Sequence, residues 1–457
     1  MPQPEKRLAP RLENNSNIGI GLDGRESDLI NISETGAYFV FNCSVLSCDV
    51  KLSLIPALDK GSQEPTPLSA RVIHRVPLEK SRNRYGVQFS SLDAPSFARL
   101  REIIFDEFAK KALGDIAESE QDFKNAVKNF FKKDVKQYHE ALTAVVLDAK
   151  NAKIDSDAIE NKIAALTNEI LTKGSDLEKT APDEAAMKTV KRVFREIAGC
   201  WFYKGPIVKM AYDKPRGYPG DYLLFETIYE GKTYSEKESI GYYCDRYFLN
   251  NTYAQAVRAR KNKMKNILQD QIENAPSQTI RLLNVACGPS REIRELLCDP
   301  YLAARKDIIF TGLDYDEEAL KFSEDKFKNL PSNVQVRLLH ANVLNIFRDA
   351  KYYDLIGKQD IIYILGLTEY LPDRVFRKLT QFLFRILNEK GMLVITYKDQ
   401  AIEFPSLPPE WFCDWTFIKR TREDLLKTAE EIGSAEFDLK IEREGTGTIY
   451  FFILTKK

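Results

Sequence analysis

The stretch IRLLNVACGPSRE, residues 280–292, decides how the second half of this chain folds. Its apolar beginning, IRLLNV, is typical of a buried strand, and the residues after the turn have the spacing of an amphipathic helix. A turn between such a strand and helix is where α/β folds bind nucleotides and similar ligands. The turn holds a single glycine, Gly288, so the stretch alone leaves open a cofactor loop or an ordinary turn.

The sequence that follows alternates strand-like runs with helical periodicity. The strand-like runs are DIIFTGLD (307–314), VQVRLLH (334–340), DIIYILG (360–366) and GMLVITY (391–397). This alternation predicts a mostly parallel, doubly wound α/β sheet over residues 279–457. The last two runs, EFDLKIERE and TIYFFILTK, are joined by EGTG and predict an antiparallel pair at the edge of that sheet.

The sequence before this region has two further parts. Residues 18–90 contain short apolar runs such as GAYFVF and YGVQF between turn clusters, which predicts a small antiparallel β-barrel or sandwich. Beyond them apolar residues recur at helical spacing, which predicts a helical linker or bundle. We therefore expect a multidomain protein with a β-barrel over 1–95, a helical region over 96–200 and an α/β domain over 201–457.

Composition and charge argue against several classes of protein. The 457 residues include 67 basic and 67 acidic side chains, a balance that argues against a nucleic-acid partner. No apolar run of about 18 residues is present, and the first residues lack an apolar segment, so we expect no membrane span and no secretory signal. Three scattered histidines argue against a metal site, and seven scattered cysteines favour reduced thiols in a cytoplasmic protein.

Near the start of the chain two arginines precede a polar turn. RLAPR contains Arg7 and Arg11, and NISETG follows with Asn31, Ser33 and Gly36. Two guanidinium groups suit phosphates and flat bases, an amide suits a base edge, and a glycine permits a tight turn. These residues predict a site for an anionic nucleotide. The alternative is that the arginines belong to a solvated tail and the polar residues to an ordinary turn.

The two motifs together resemble the signature of a known family. R-x-x-x-R followed by [DN]-x-S-x-x-G, ahead of RYGVQF, resembles the PilZ domain, the bacterial receptor of cyclic di-GMP, over residues 5–95. The resemblance implies that the two arginines hold the phosphates and guanines of cyclic di-GMP as a flexible latch. It also implies that Asn31, Ser33 and Gly36 line the nucleotide-binding face of the β-barrel.

The ends of the predicted parallel strands carry groups that suit a nucleoside. Asp314, at the end of the second strand, is placed to accept hydrogen bonds from both hydroxyls of a ribose. Asn342 and Val343 follow the third strand, near the expected place of an adenine. The pattern G-x-G-x-x-G is absent and Pro289 removes a backbone donor, so the turn does not suit a pyrophosphate. S-adenosylmethionine, which has a ribose and an adenine but no phosphate, fits these residues.

The same region resembles the class I S-adenosylmethionine-dependent methyltransferases, which have a Rossmann-like fold. LNVACGPSRE, GLTEYLPD and the upstream KPRGYPGDY resemble a bacterial subgroup described as extracellular-factor, 3-hydroxypalmitate methyl ester biosynthesis methyltransferases. Asn284 and Ser290 depart from the usual first motif, which has an acid and a glycine there. The resemblance implies a cofactor site of Ala286, Cys287 and Gly288 under the methionine part, Glu292 at its ammonium, Asp314 at the ribose, Asn342 and Val343 at the adenine, and Gly366 and Leu367 beside the sulfonium. A salt bridge of Glu292 within its own helix is the alternative.

The residues around a methyl acceptor are less clearly marked. Glu369 and Tyr370, just past the fourth strand, and Asp221 in the loop KPRGYPGDY are our candidates for catalytic polar groups. That loop is either a lid over the methyl donor or an element that packs the helical region onto the sheet.

Two further pairs of residues near the expected pocket have two interpretations each. Trp411 and Trp415 either wall the pocket or belong to the core. Arg258 and Arg260 suit an acidic acceptor, but a solvated helix face explains them more simply.

Both resemblances together imply a cyclic di-GMP-responsive S-adenosylmethionine-dependent methyltransferase that acts on a small molecule with a carboxylate or hydroxyl group. The alternative is a non-enzymatic signalling adaptor, which would use a methyltransferase fold to bind cofactor or an unknown protein partner. Asn284 and Ser290 favour the adaptor, whereas Asp314 favours the enzyme.

Overall fold

The computed structural model describes residues 12–13, 18–22, 25–41, 49–56, 66–78, 82–90, 93–150, 155–298, 306–399, 407–433 and 436–457. By internal packing the chain divides into two compact units. The first comprises the described residues within Met1–Lys209, Ser235–Asp245 and Glu410–Asp414, and the second those within Met210–Tyr234, Arg246–Pro409 and Trp415–Lys457. The domain limits predicted at residues 95 and 200 stay predictions.

The first unit begins with a seven-stranded antiparallel sheet. Its strands are β1 (Leu12–Glu13), β2 (Ile18–Leu22), β3 (Arg25–Ser33), β4 (Gly36–Phe41), β5 (Asp49–Pro56), β6 (Thr66–Pro77) and β7 (Asn83–Phe89). They are hydrogen-bonded in the order β1-β3-β2-β5-β6-β7-β4, and β3 also pairs with β4. Each strand from β2 to β7 therefore has a neighbour on both sides.

The middle of the chain is helical, as the sequence predicts. Its helices are α1 (Ala94–Ala112), α2 (Gln121–Asn129), α3 (Lys136–Lys150), α4 (Ser156–Lys179) and α5 (Glu184–Phe202), and a π-helical turn (Phe130–Val135) joins α2 to α3. Asp93, Asp155 and Asp183 begin three of these helices, because each side chain accepts a hydrogen bond from the backbone N–H three residues later.

The second unit contains a seven-stranded mixed sheet. Its strands are β8 (Thr279–Val285), β9 (Asp307–Asp314), β10 (Val334–His340), β11 (Gln359–Ile364), β12 (Leu387–Lys398), β13 (Phe437–Arg443) and β14 (Ile449–Lys456), in the order β10-β9-β8-β11-β12-β14-β13. The first five strands pair in parallel, whereas β14 pairs antiparallel with both β12 and β13. The predicted parallel sheet with an antiparallel edge pair is thus confirmed.

Helices connect the strands of this sheet and precede it. They are α6 (Pro206–Asp213), α7 (Tyr222–Glu230), α8 (Ile240–Asn250), α9 (Thr252–Asn274), α10 (Arg291–Leu297), α11 (Glu317–Lys326), α12 (Val343–Ile346), α13 (Lys351–Ile356), α14 (Asp373–Arg385), α15 (Leu407–Cys413) and α16 (Arg422–Glu430). No helix in the described ranges combines the length and the apolarity that a bilayer crossing requires.

Both faces of the second sheet are covered. Successive residues of a strand point to opposite faces, so Leu282 and Ile361 belong to one apolar core while Leu283 and Ile362 belong to the other. This burial on both sides explains why the strands read as continuous apolar runs in the sequence.

Candidate functional site

A cavity of about 360 Å³ lies in the second unit, beside the carboxyl ends of its parallel strands. All nine residues predicted to bind the cofactor line it: Ala286, Cys287, Gly288, Glu292, Asp314, Asn342, Val343, Gly366 and Leu367. They converge because parallel strands end at the same edge of a sheet, so the loops after β8, β9, β10 and β11 meet there.

The turn after β8 has a strained backbone. Ala286, Gly288 and Ser290 have φ angles of 57°, 48° and 50°, all in the left-handed region. For a residue other than glycine this conformation costs about 1–2 kcal/mol, and such strain is concentrated at functional sites. A Cβ added at Gly288 would have no atom within 4 Å, so the turn leaves open space beside its backbone.

Asp314 ties the ends of β8 and β9 together. Its Oδ2 accepts a hydrogen bond from the Gly288 N–H at 2.7 Å, and its Oδ1 accepts one from the Asp316 N–H at 2.8 Å. Burial raises the pKa of this carboxyl, and the two backbone donors oppose that shift. Each carboxylate oxygen has a second lone pair, so both atoms retain the capacity to accept a ligand hydroxyl.

Glu292 is buried and held by two polar side chains. The Asn284 amide and the Tyr363 hydroxyl both donate to its Oε1, each at 2.9 Å. Burial raises the pKa of Glu292, against the opposing effect of its hydrogen-bond donors. In the described part of the chain Glu292 has these partners and forms no salt bridge with its own helix. Asn284, the departure from the usual motif, therefore orients the predicted ammonium ligand, and its own buried Oδ1 has no described partner.

Two further strand ends shape the opposite side of the cavity. The Asn342 side chain accepts a hydrogen bond from the Leu344 N–H at 2.8 Å and thereby begins α12. Gly366 has a φ of 80°, and a Cβ added there would lie 2.6 Å from a guanidinium nitrogen of Arg260. A larger residue at Gly366 therefore cannot be accommodated without moving that arginine.

The three predicted catalytic residues have different surroundings. Tyr370 lines the cavity, and its hydroxyl accepts a hydrogen bond from the Trp415 indole at 2.5 Å. Asp221 and Glu369 are buried but are not among the described residues that line the cavity. The Asp221 carboxylate accepts the Leu224 N–H at 2.9 Å and begins α7, which is a structural role. Burial raises the pKa of Glu369, so its carboxyl is a weaker acid than usual.

The loop KPRGYPGDY lies against the cavity. Tyr218, Pro219, Gly220 and Tyr222 line it. The loop is fastened at the start of α11, where the Tyr218 hydroxyl donates to Asp316 at 2.6 Å and the Arg216 guanidinium pairs with the same carboxylate. This placement suits the predicted lid.

The two tryptophans lie in apolar cores in the described part of the chain. Trp411 packs on Phe194 within the first unit, with ring centroids 5.0 Å apart, and its indole donates to Glu178. Trp415 is buried behind Tyr370.

Arg260 was expected on a solvated helix face, and this expectation is wrong. The side chain is only 2% exposed and lines the cavity. The helical spacing could have indicated this burial. Ala256, Val257 and Met264, at i−4, i−3 and i+4 from Arg260, are all buried apolar residues of α9. Arg260 therefore lies on the apolar stripe of the helix, where a charge normally signals a partner or a function.

In the first unit the described part of the nucleotide motif forms the turn between β3 and β4. The Ser33 hydroxyl donates to the Gly36 carbonyl at 3.2 Å. A Cβ added at Gly36 would lie 2.1 Å from the Val87 carbonyl oxygen, so only glycine fits. The buried Oδ1 of Asn31 has no described hydrogen-bond partner. Arg7 and Arg11, the predicted latch, lie outside the described residues.

The same turn is anchored by a buried carboxylate that the sequence did not single out. Glu34 accepts two hydrogen bonds from Arg101 of α1, at 2.6 and 3.0 Å. The His139 Nε2 lies 3.4 Å from Glu34 Oε1, and the Trp201 indole donates to His139 Nδ1 at 3.2 Å, which leaves the proton of a neutral imidazole on Nε2. Although burial alone raises the pKa of Glu34, His139 and Arg101 lower it to about 2.

Two family models match separate parts of the chain. Residues 5–106 match the PilZ domain, and residues 208–403 match the family described as "Putative methyltransferase". The first match includes the two arginines and the β3–β4 turn, and the second includes all nine cavity residues named above. These two stretches of the chain are therefore similar to the PilZ domain and to that methyltransferase family.

Comparison with solved structures finds distant similarities. A possible exported protein from Bordetella parapertussis aligns at 16% identity and a TM-score of 0.40, covering 70% of this chain and 96% of that one. Magnesium protoporphyrin IX methyltransferase from Synechocystis PCC 6803 aligns at 9% identity and a TM-score of 0.35, covering 55% and 97%. An S-adenosylmethionine-dependent methyltransferase from Archaeoglobus fulgidus aligns at 17% and 0.31, covering 43% and 94%. Among curated proteins no match is found.

Proposed function

We propose that this protein is an S-adenosylmethionine-dependent methyltransferase whose activity responds to cyclic di-GMP. The observation that carries the proposal is the convergence of all nine predicted cofactor residues on one cavity at the carboxyl edge of the second sheet. The match to a methyltransferase family over residues 208–403 supports the same reaction class.

The cavity offers a complementary group for each part of the cofactor. Asp314 keeps lone pairs for the two ribose hydroxyls, and Glu292 presents a carboxyl group to the ammonium. The turn at Gly288 gives the methionine part room against the backbone. When bound, the cofactor would supply a methyl group on a positively charged sulfur, and the chain would hold donor and acceptor in line.

Methyl transfer to an ionised carboxylate needs no base, whereas transfer to a hydroxyl group requires that the hydroxyl lose its proton. Tyr370 is the one predicted catalytic residue that lines the cavity, and its pKa is raised, chiefly by burial. A phenol that stays protonated donates a hydrogen bond and does not remove a proton. A small molecule with an ionised carboxylate therefore suits the cavity better than one with a hydroxyl group.

The cyclic di-GMP site is proposed on the PilZ domain. The six strands that pair in a ring support the predicted β-barrel. A ligand at the β3–β4 turn is supported by the buried Oδ1 of Asn31, for which the described residues offer no hydrogen-bond partner. Arg7 and Arg11 would close over the nucleotide, because guanidinium groups bind phosphates and stack on guanines.

A signalling adaptor remains the second candidate. It is favoured by the absence of Asp221 and Glu369 from the described lining of the cavity, which leaves the cavity without two of its three predicted catalytic polar groups. In that case the cofactor would bind without turnover.

Calorimetry separates the two sites and tests the proposal. Asp314→Asn should weaken S-adenosylhomocysteine binding about 100-fold, because charge-assisted hydrogen bonds contribute about 1.5–3 kcal/mol each. It should leave cyclic di-GMP binding unchanged. Arg11→Ala should weaken cyclic di-GMP binding and leave S-adenosylhomocysteine binding unchanged. Asp354→Asn and Arg71→Ala, at exposed positions of the second and first units, are the matched controls. Unaltered S-adenosylhomocysteine affinity in Asp314→Asn would contradict the proposed cofactor site.

The reaction itself is tested with S-adenosylmethionine labelled in its methyl group. Methyl transfer to a component of a small-molecule cell extract, at a rate that changes on addition of cyclic di-GMP, is the expected result. Binding of both ligands without any labelled product would favour the adaptor.

A further inference from the structure

Arg260 has a position that the proposed function does not yet use. It lies on α9, lines the cavity of the second unit and is 2% exposed. Its neighbours on the buried face of the helix are apolar, so the guanidinium is removed from water at the wall of a ligand site.

The packing around Arg260 fixes the guanidinium in place. One terminal nitrogen lies so close to Gly366 that a Cβ there would be 2.6 Å away. The guanidinium carbon lies 5.7 Å from the centroid of the Phe225 ring. Backbone on one side and an aromatic ring on another restrict the side chain, so the group is pre-organised rather than free to swing into solvent.

The charge of Arg260 has no carboxylate partner in the described part of the chain. Its buried Nε makes no hydrogen bond there, and no described carboxylate forms an ion pair with it. Burial alone lowers the pKa of the guanidinium, but Tyr229 and Glu369 raise it above its ordinary value, so the group stays charged. Arg294 of the same unit shows the usual arrangement, because it pairs with Glu226 at 2.9 Å.

A buried charge without a carboxylate in direct contact is costly. Removing an ion from water has a penalty of several kcal/mol, which an apolar side chain of similar volume avoids. If Arg260 only filled space between α9 and the sheet, a methionine or leucine would serve with less cost. The geometry is therefore that of a site completed by an anion.

We propose that Arg260 is the carboxylate-binding residue of this cavity. The planar fork of a guanidinium matches the two oxygens of a carboxylate, and burial strengthens that interaction. The carboxylate has two possible sources, the methionine part of the cofactor or the methyl acceptor. This inference rests on the proposed cofactor site.

The cofactor source is tested with two ligands that differ only in the carboxylate. Calorimetry would compare S-adenosylhomocysteine with its decarboxylated analogue, in the wild-type chain and in Arg260→Gln. If the cofactor carboxylate binds Arg260, the wild type should prefer S-adenosylhomocysteine about 30-fold, and the variant should bind both ligands equally. Asp314→Asn should weaken both ligands together, which distinguishes a failure of the nucleoside site from a failure at Arg260.

The acceptor source is tested with benzoate and benzamide, since aromatic rings such as Phe225 and Tyr229 wall the cavity. Each would be titrated into the protein with and without saturating S-adenosylhomocysteine. If the acceptor carboxylate binds Arg260, the wild type should bind benzoate at least about 10-fold more tightly than benzamide. Arg260→Gln should lose that preference while its affinity for S-adenosylhomocysteine is kept.

Two further variants protect the test against misfolding. Arg258→Gln changes the same charge on the same helix, at a residue that is not among the described lining of the cavity, and should keep every preference. Arg260→Lys keeps the positive charge without the planar fork and should retain part of the carboxylate preference. If the wild type and both Arg260 variants showed the same carboxylate preference with both ligand pairs, the proposal would be overturned.

Discussion

The two motif turns of this protein, one in each unit, both carry a serine and a glycine after a strand, yet they are built in opposite ways. The β3–β4 turn, residues 33–36, is tightly packed, and its glycine is required because Val87 leaves no room for a Cβ. The turn after β8, residues 286–290, has open space at Gly288 and a left-handed backbone at three positions.

The two turns also differ in the polar contacts of their side chains. Glu34 in the first turn is fully engaged by Arg101 and lies beside His139, so the turn is anchored to the helices of its own unit. Buried atoms of Asn284 and Arg260 near the second turn have no described partner, and the same holds for the Oδ1 of Asn31 beside the first turn. The comparison teaches that the first turn is held by tight packing and a buried ion pair, whereas the second combines a left-handed backbone with open space beside the cavity.

The largest expected difference between the turns comes from adding one methyl group to each glycine. Gly36→Ala should destabilise the protein by about 3 kcal/mol or more, because the Cβ meets rigid backbone at 2.1 Å. Gly288→Ala should cost about 1–2 kcal/mol, the cost of a left-handed alanine in open space. Thermal unfolding of both variants measures the difference, and a larger loss for Gly288→Ala would reverse the comparison.

An intermediate effect is expected from removing the anchor of the first turn. Glu34 has its pKa lowered from 4.5 to about 2, so its stabilising contribution is complete above pH 4.5 and is lost as the pH falls toward 2. Glu34→Gln should therefore cost about 3 kcal/mol at pH 7. The difference in the free energy of unfolding between wild type and Glu34→Gln should become smaller as the pH falls from 6 to 3.5. Urea unfolding at each pH measures it.

Arg101 offers a matched control for that experiment. Its second carboxylate partner, Glu140, lies 2.9 Å away and is 36% exposed. Glu140→Gln should cost under about 1 kcal/mol, as expected of a partly exposed ion pair. If Glu140→Gln lowered the free energy of unfolding as much as Glu34→Gln, burial would not explain the larger contribution of Glu34.

The smallest expected effect is a gain of stability in the second turn. Ala286→Gly releases a left-handed alanine, and the higher entropy of glycine in the unfolded chain offsets part of that gain. We expect the free energy of unfolding to rise by up to about 1 kcal/mol. If differential scanning calorimetry showed a lower free energy of unfolding for Ala286→Gly, the turn would not be strained at this residue.

The order of strands and helices was readable from the sequence because buried parallel strands are continuous apolar runs between amphipathic helices. The nine residues predicted to bind the cofactor, most of them named through the resemblance to methyltransferases, line one cavity because the strand ends fix which residues meet at the edge of the sheet. Gly36 and Gly288 were also identified, although the letters gave no indication that one is required by packing and the other by backbone conformation.

Other features depended on contacts between distant parts of the chain. The pairing of Glu34 with Arg101 joins residues 67 positions apart, and no local pattern announces it. Arg260 was missed for another reason, because charge was given more weight than its place on the apolar stripe of α9. Asp221, expected near the chemistry, begins a helix, which is a common role of aspartate at such positions.

The path of the chain limits how this protein can be taken apart. It passes from one compact unit to the other five times, at residues 209/210, 234/235, 245/246, 409/410 and 414/415. A fragment ending at residue 403, where the methyltransferase match stops, would lack β13 and β14 and would turn β12 into an unpaired edge along Met392–Lys398. Such edges promote aggregation. The two compact units are thus interlaced along one polypeptide, so a single cut cannot release either of them intact.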